Sequence, residues 1–158
     1  MSPEKGYVGT RVTRPDERSG GREQLLDIQR GRLISATTQL AAELGASKLS
    51  VSAIVTRSGV SRRTFYEVFP DVRECLLAAL EESLAHARAR VREAYDPDAP
   101  WRVRIRLALH ALLCLFEDEP ARGRLLVVEA PGAGKDALER RAQVLGELSD
   151  AVEEGRAE

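Results

Sequence analysis

The segment from Ser50 to Phe69, SVSAIVTRSGVSRRTFYEVF, constrains the fold of this chain more than any other. Ser50 reads as an N-cap, and Val51, Ile54 and Val55 keep helical spacing up to Ser58-Gly59, where the glycine ends the helix. Ser61 is a second N-cap, so a helix over Arg62–Phe69 follows after a turn of only three residues. Ile54, Val55 and Val60 are placed to fill the wedge between two helices set so close. Phe65 and Phe69, four apart, tie the second helix to the core. That leaves Arg62, Arg63, Thr64 and Tyr66 for the outer surface. The arrangement predicts a helix-turn-helix, whose first helix braces while the second offers its N-terminal side chains to the major groove. On spacing alone, an ordinary helical hairpin with exposed arginines fits equally well.

Helical periodicity continues on both sides. Residues 1–22 hold Gly6, Gly9, Gly20, Gly21, Pro3 and Pro15 with little apolar content, which predicts a disordered N-terminal tail. Its arginines, Arg11, Arg14, Arg18 and Arg22, suit either plain disorder or an arm along DNA phosphates, and Asp16, Glu17 and Glu23 dilute the second use. A helix is predicted from about Glu23 to Gly45, with Ile28, Ile34, Ala41 and Leu44 near one face and Leu33, Ala36, Thr37 and Leu40 broadening it. Pro70-Asp71 starts another, in which Leu76, Leu77, Leu80, Leu84, Ala87 and Val91 keep the period to about Tyr95. Asp96–Pro100 is a linker. Trp101–Leu107 alternates like a strand. Yet Trp101, Ile105, Ala108, Leu109, Leu112, Leu113 and Phe116 continue at helical spacing, which predicts one helix over about 100–118. Residues 121–130 fit a short helix or a strand, and helix is preferred because a lone strand has no partner. After the loop Pro131–Gly134, a last helix runs from Lys135 to about Glu154, with Leu138, Ala142, Leu145, Leu148 and Val152 inward. The expectation is all-α: a tail over 1–22, a three-helix domain with the helix-turn-helix over 23–70, and a helical C-terminal domain over 71–158.

Charge and composition narrow the function. Residues 1–75 carry 12 basic and 9 acidic side chains, and residues 76–158 carry 12 basic and 16 acidic. A basic half beside an acidic one suits a nucleic-acid partner at one end. No apolar run approaches the ~20 residues that span a bilayer, and the N-terminus has no apolar signal core. A cytoplasmic protein without a membrane partner is expected. Cys75 and Cys114 make neither a disulfide framework nor a zinc cluster.

Enzyme chemistry finds no constellation. The stretch Leu126–Asp136 mimics a strand entering a phosphate loop. A Walker A loop needs glycine five residues before Gly134 and Ser or Thr after the lysine, and Glu129 and Asp136 stand there. His110 and Cys114, four apart on one helix, lack a second ligand pair and read as an ordinary histidine and a buried thiol. His86 reads as solvated, Glu117-Asp118-Glu119 as a solvated helix end, and no Gly-x-Ser-x-Gly elbow accompanies either histidine. No cofactor and no metal are expected.

Residues about 27–87 resemble the DNA-binding domain of the tetracycline-repressor (TetR) family of transcription regulators. The likeness rests on Arg32-Leu33-Ile34, Ala36, Leu40, Leu44-Gly45, Leu49-Ser50-Val51, Ile54, Gly59-Val60-Ser61, Thr64-Phe65-Tyr66, Phe69, and Leu76-Leu77 with Ala79. The string G-V-S-x-x-T-F-Y-x-x-F is its most specific part. The resemblance implies a regulator, repressor or activator, that binds a double-stranded operator as a homodimer, with a small-molecule effector held among the C-terminal helices. Family positions that approach DNA fall on Val51, Ser52, Ser61, Arg62, Arg63, Thr64 and Tyr66. Two positions depart. Val72 stands where a lysine commonly supports a phosphate contact, with Arg73 one place on, and Ala41 stands where the first helix commonly has an aromatic. Among the C-terminal helices, Tyr95, Trp101, His110 and Cys114 are the candidates to line an apolar effector pocket with a few polar anchors.

Members of that family usually close with two longer helices that form the dimer interface, and here only Gly155–Glu158 follow the last predicted helix. The C-terminal domain is therefore expected to be a truncated one. Its stripe Leu138, Ala142, Leu145, Leu148 and Val152 would pair two copies, because leaving several large aliphatic side chains in water forfeits ~1.5–3 kcal/mol each. The alternative is a helical ligand- or partner-binding protein that no longer dimerises on DNA.

Overall fold

The computed structural model describes residues 16–130, with side chains from 21 onward, together with Gly134, Lys135, Leu138, Glu139, Ala142, Gln143, Gly146 and Glu153. Six α-helices and no strand occur among the described residues: α1 Asp16–Leu44, α2 Val51–Ser58, α3 Arg62–Val68, α4 Val72–Ala94, α5 Trp101–Asp118 and α6 Pro120–Arg124. A 3-10 turn, Ala46–Lys48, links α1 to α2, and α6 runs on into a π-helical turn, Leu125–Glu129. The ambiguous segment 121–130 is thus helical, opened by Pro120 at a position that has no use for its missing N–H.

α1 is the helix on which the others pack. Leu33, Ile34, Ala36, Thr37, Leu40 and Ala41 are buried at helical spacing, as their period predicts. The helix starts at Asp16, about two turns ahead of the predicted Glu23, and carries Gly20 and Gly21 inside it. Buried positions begin only at Leu33, so Ile28, expected inward, is 52% exposed, and Leu44 at the other end is exposed too. Periodicity marks a face of a helix, but only its neighbours decide how much of that face is covered.

The first half of α4 closes the N-terminal bundle. Asp71 caps it, its Oδ1 accepting from the Glu74 N–H at 2.9 Å, and Cys75, Leu76, Leu77, Ala79 and Leu80 are buried against α1. Between the two helices the Thr37 hydroxyl donates to the Leu33 carbonyl at 2.8 Å and lies 3.1 Å from Cys75 Sγ. Burial pushes the Cys75 thiol up to about 11, so it stays protonated and unreactive at neutral pH. The second half of α4 packs on α5. One apolar cluster joins Leu33, Ile54, Phe65, Phe69 and Leu76 to Leu125 and Ala130, so the core runs on past the helix-turn-helix into the C-terminal helices.

Where α4 meets α5 and α6, polar side chains form a network that local sequence does not announce. His86, expected to be solvated, places Nε2 2.7 Å from Glu119 Oε1. Arg122 Nε donates to Glu119 Oε2 at 2.6 Å, and Arg90 reaches Asp118 at 3.2 Å. In the acidic run expected to be a solvated helix end, Asp118 and Glu119 are therefore tied to α4 and α6, while Glu117 is exposed as expected. Burial alone would raise the Glu119 pKa, but the hydrogen bonds from Arg122 and His86 outweigh it and hold the carboxyl below its ordinary 4.5. A depressed carboxyl contributes stability that is present above the unfolded value and lost as pH falls through the folded one. The melting-temperature gap between the wild type and Glu119→Gln should therefore narrow over the acid window below the ordinary carboxyl value of 4.5. A gap that stayed constant through that window would remove Glu119 from the acid response.

Of the helix expected over 135–154, Lys135, Leu138, Glu139, Ala142, Gln143, Gly146 and Glu153 are described, all helical and all exposed. Leu145, Leu148 and Val152 lie outside the described residues, as do residues 1–15 of the expected tail.

Candidate nucleic-acid interface

The helix-turn-helix is set by local chemistry. Ser50 is extended (φ −143°, ψ 152°) and its Oγ accepts from the Ala53 N–H at 3.2 Å, which starts α2. Gly59, in the left-handed region at φ 69°, ends it by donating to the Val55 carbonyl at 3.0 Å. The Ser58 hydroxyl accepts from the Val60 N–H at 3.2 Å, and Ser61 Oγ accepts from the Thr64 N–H at 3.1 Å to start α3. Ile54, Val60, Phe65 and Phe69 are buried in the wedge and core as their spacing predicts.

The surface this leaves outward holds Ser52, Ser61, Arg62, Arg63 and Tyr66, all exposed, with Val51 and Thr64 half-buried beside them. Val51 packs against the core, and Thr64 Oγ1 lies 2.9 Å from Ser61 Oγ, so both also hold the motif together. Tyr66 stands edge-on to Phe65, ring centroids 5.4 Å apart at 88°, with half its surface in solvent. The Arg62 guanidinium lies 5.9 Å above the Tyr66 ring. Arg63 is 89% exposed and leans on Glu67, Nε to Oε1 3.1 Å.

The charges here do not serve the helix. The first turn of α3 carries Arg62 and Arg63 and no acidic residue, although a helix N-terminus disfavours cations by ~0.3–1 kcal/mol. Arg57 differs. It donates from both terminal nitrogens to Glu43 at 2.8 and 2.7 Å, bracing α2 on α1. That pair holds the Glu43 carboxyl below and the Arg57 guanidinium above their ordinary values. Of the three arginines in 50–69, two point outward and one is structural.

Lys48 was not singled out by the sequence. It is exposed in the 3-10 turn just ahead of α2, two residues before Ser50. An open depression of about 580 Å³ runs along α2 between Leu40, Ser50, Ser52, Ala53, Thr56 and Arg57. Val72, where the resemblance would put a lysine, is half-buried and packs against the core, while the exposed Arg73 follows it in the first turn of α4. Ala41, in place of an aromatic, is fully buried.

The four effector candidates fall into separate places. Tyr95 is exposed and its hydroxyl accepts from Arg104 at 3.3 Å. His110 is exposed, Cys114 half-buried, and Cys114 Sγ lies 3.6 Å from His110 Nδ1. Trp101 is half-buried at the start of α5. Nine residues separate Trp101 from His110, about 13 Å along the axis and about half a turn around it. Trp101 and the His110–Cys114 pair therefore occupy opposite sides of α5, and a small ligand held by all four at once does not fit this geometry. Among the described residues no group of three or more His, Cys, Asp or Glu side chains is placed to hold a metal. No described helix is long and apolar enough to cross a membrane.

Residues 33–79 match the family model of bacterial regulatory proteins, tetR family. Solved structures share the fold over most of the chain. A TetR family transcription regulator from Marinobacter aquaeolei VT8 superposes with a TM-score of 0.75 at 22% identity, over 85% of this chain and 72% of that one. The fatty acid degradation regulator FadR from Bacillus halodurans gives 0.72 at 18% identity, covering 82% and 68%. A tetR-family regulatory protein from Rhodococcus RHA1 gives 0.71 at 17% identity, covering 82% and 70%.

Proposed function

We propose that this protein, whose residues 33–79 match the tetR-family model and whose fold is shared with solved transcription regulators, is a cytoplasmic repressor that binds a double-stranded operator as a homodimer. The observation that carries the reading is Arg62 and Arg63 exposed in the first turn of α3, a helix end that disfavours cations. Arginine pairs bidentately with guanine edges, and the Tyr66, Ser61 and Thr64 hydroxyls suit phosphate or base contact. Ser52 and Val51 at the start of α2 contribute its bracing contacts, and Lys48 adds a phosphate contact ahead of them.

Pairing of two copies is supported by apolar surface on the C-terminal helices. Leu109 and Leu113, four apart on α5, are 56% and 62% exposed, and Val127, Val128 and Leu138 are exposed as well. A small effector lodged near α5, against Trp101 on one side or His110 and Cys114 on the other, would shift that pairing and release DNA. The chemistry is binding, with no turnover.

The test is selection of duplexes from a random-sequence pool by the purified protein, followed by sedimentation. Enrichment of a pseudo-palindrome, bound with strong salt dependence by a dimer, is the expected result. A folded protein that enriches no sequence would overturn the reading. A monomer that enriches none would favour the helical ligand- or partner-binding alternative.

A further inference from the structure

The 3-10 turn Ala46–Lys48 begins without a local cap. Its N-cap residue is Gly45, at φ 92° and ψ 145°, and Gly45 has no side chain with which to accept the first N–H. Space is not what excludes a serine or aspartate there, since an added Cβ would meet nothing closer than Glu129 Oε2 at 3.7 Å. The backbone excludes it, because only glycine adopts that φ freely. The acceptor comes instead from 83 residues away: the Ala46 N–H donates to Glu129 Oε2 at 2.8 Å. Glu129 is 13% exposed, with its other oxygen 3.5 Å from Arg124 Nε.

Both ends of this bond sit where they matter. Ala46 is four residues ahead of Ser50, the N-cap of α2, and the turn carries Lys48 between them. Glu129 is the last residue of the π-helical turn, whose next N–H, that of Ala130, closes onto the Leu125 carbonyl. Leu125 and Ala130 are buried in the shared core, so the segment is gripped on both sides of Glu129. A shift of one residue in its helical register would carry the carboxylate about 100° around the axis and off Ala46.

We infer that Glu129 is a positioning residue for the DNA-contacting surface, the N-cap that the C-terminal helices lend to the turn that aims α2. Its part in DNA binding rests on the function proposed above, whereas its capping of the turn does not. Motion of the Pro120–Ala130 segment reaches the turn ahead of α2 through this charge-assisted bond, in addition to the apolar core the two regions share.

Two variants of the full chain, Glu129→Ala and Glu129→Gln, test it. Deuterium exchange of the segment 44–50 should run roughly tenfold or more faster in Glu129→Ala, the cost of orphaning a partly buried donor. The change should be smaller in Glu129→Gln, whose amide oxygen still accepts, and α5 should exchange as in the wild type in both. Unchanged exchange over 44–50 would overturn the cap. Affinity for a duplex selected by the wild type should fall several-fold in Glu129→Ala and less in Glu129→Gln, with Arg62 and Arg63 intact. Wild-type affinity in Glu129→Ala, with exchange accelerated, would overturn the positioning role and leave only a structural cap. A wild type that enriches no duplex would sink the DNA reading and the positioning role with it, and exchange would still decide the cap. Glu129→Gln keeps both measurements decisive if Glu129→Ala unfolds.

Discussion

Phe65→Ala should be the most destabilising single truncation in the N-terminal bundle, costing ~3–5 kcal/mol, the usual range for emptying a buried phenylalanine site. Phe65 is fully buried in the cluster with Leu33, Ile54 and Leu76, and its ring meets Tyr66 at 5.4 Å and Phe69 at 6.2 Å. The surrounding helices are held by the Ser50, Gly59 and Ser61 caps and by the Arg57–Glu43 pair, so they cannot simply collapse into the space. A domain is stable by only ~5–15 kcal/mol, so this one change removes about a fifth or more. The melting temperature should fall by roughly 10 °C, at ~2–4 °C per kcal/mol for a chain of this size. Urea titration and a thermal scan read the loss. A midpoint within a degree or two of the wild type would show that Phe65 is not the centre of this core. Tyr66→Ala is the control next door: half-exposed, it should cost far less stability.

The double substitution Arg62→Ala, Arg63→Ala should do the reverse, leaving stability almost untouched and removing DNA binding. Arg63 has only an exposed i,i+4 pair with Glu67, the kind worth ~0.3–0.5 kcal/mol, and Arg62 only an exposed stack on Tyr66. Losing two cations from a helix N-terminus offsets even that. On DNA, each arginine that reads a base is worth ~1–3 kcal/mol, about 5- to 150-fold in affinity. The double variant should therefore bind a selected duplex at least ~25-fold more weakly at matched salt, with unchanged melting temperature. If an arginine meets phosphate instead, the salt slope should also drop by about 1 for each phosphate charge left unneutralised. Wild-type affinity in the double variant would take α3 out of the role of recognition helix.

The contrast between these two residue sets is legible in the sequence itself. Ser50, Gly59 and Ser61 act within one turn of themselves, through a side-chain oxygen or a left-handed φ, so their effect on α2 and α3 can be read from the residues alone. Phe65 and Phe69, four apart, then share one face of α3, with Arg63 on the far side and Arg62 and Tyr66 at the flank. Pro100 likewise stands just ahead of a helix that the structure keeps.

What periodicity could not supply was cover. Ile28 and Leu44 share the apolar character of the buried residues of α1, yet both stand in solvent, because burial belongs to the neighbouring helices and not to the stripe. Tyr95, Trp101, His110 and Cys114 suit an effector pocket by type, but Tyr95 ends α4, and rotation around α5 and distance along it separate Trp101 from the His110–Cys114 pair. The same holds for charge. Glu119 and Arg122 pair locally, three apart, but His86 lies 33 residues before Glu119 and reaches it only when α4 packs on α5. Glu129 is the extreme case, capping a turn 83 residues before it. Local sequence determined where α2 and α3 begin and end, since those choices are settled by caps acting within a turn, while the start of α1 at Asp16 was not legible in it. Which faces are covered, which charges are paired across helices, and which C-terminal residue caps the 3-10 turn ahead of α2 were decided only by tertiary packing, which brings together groups that the chain keeps far apart.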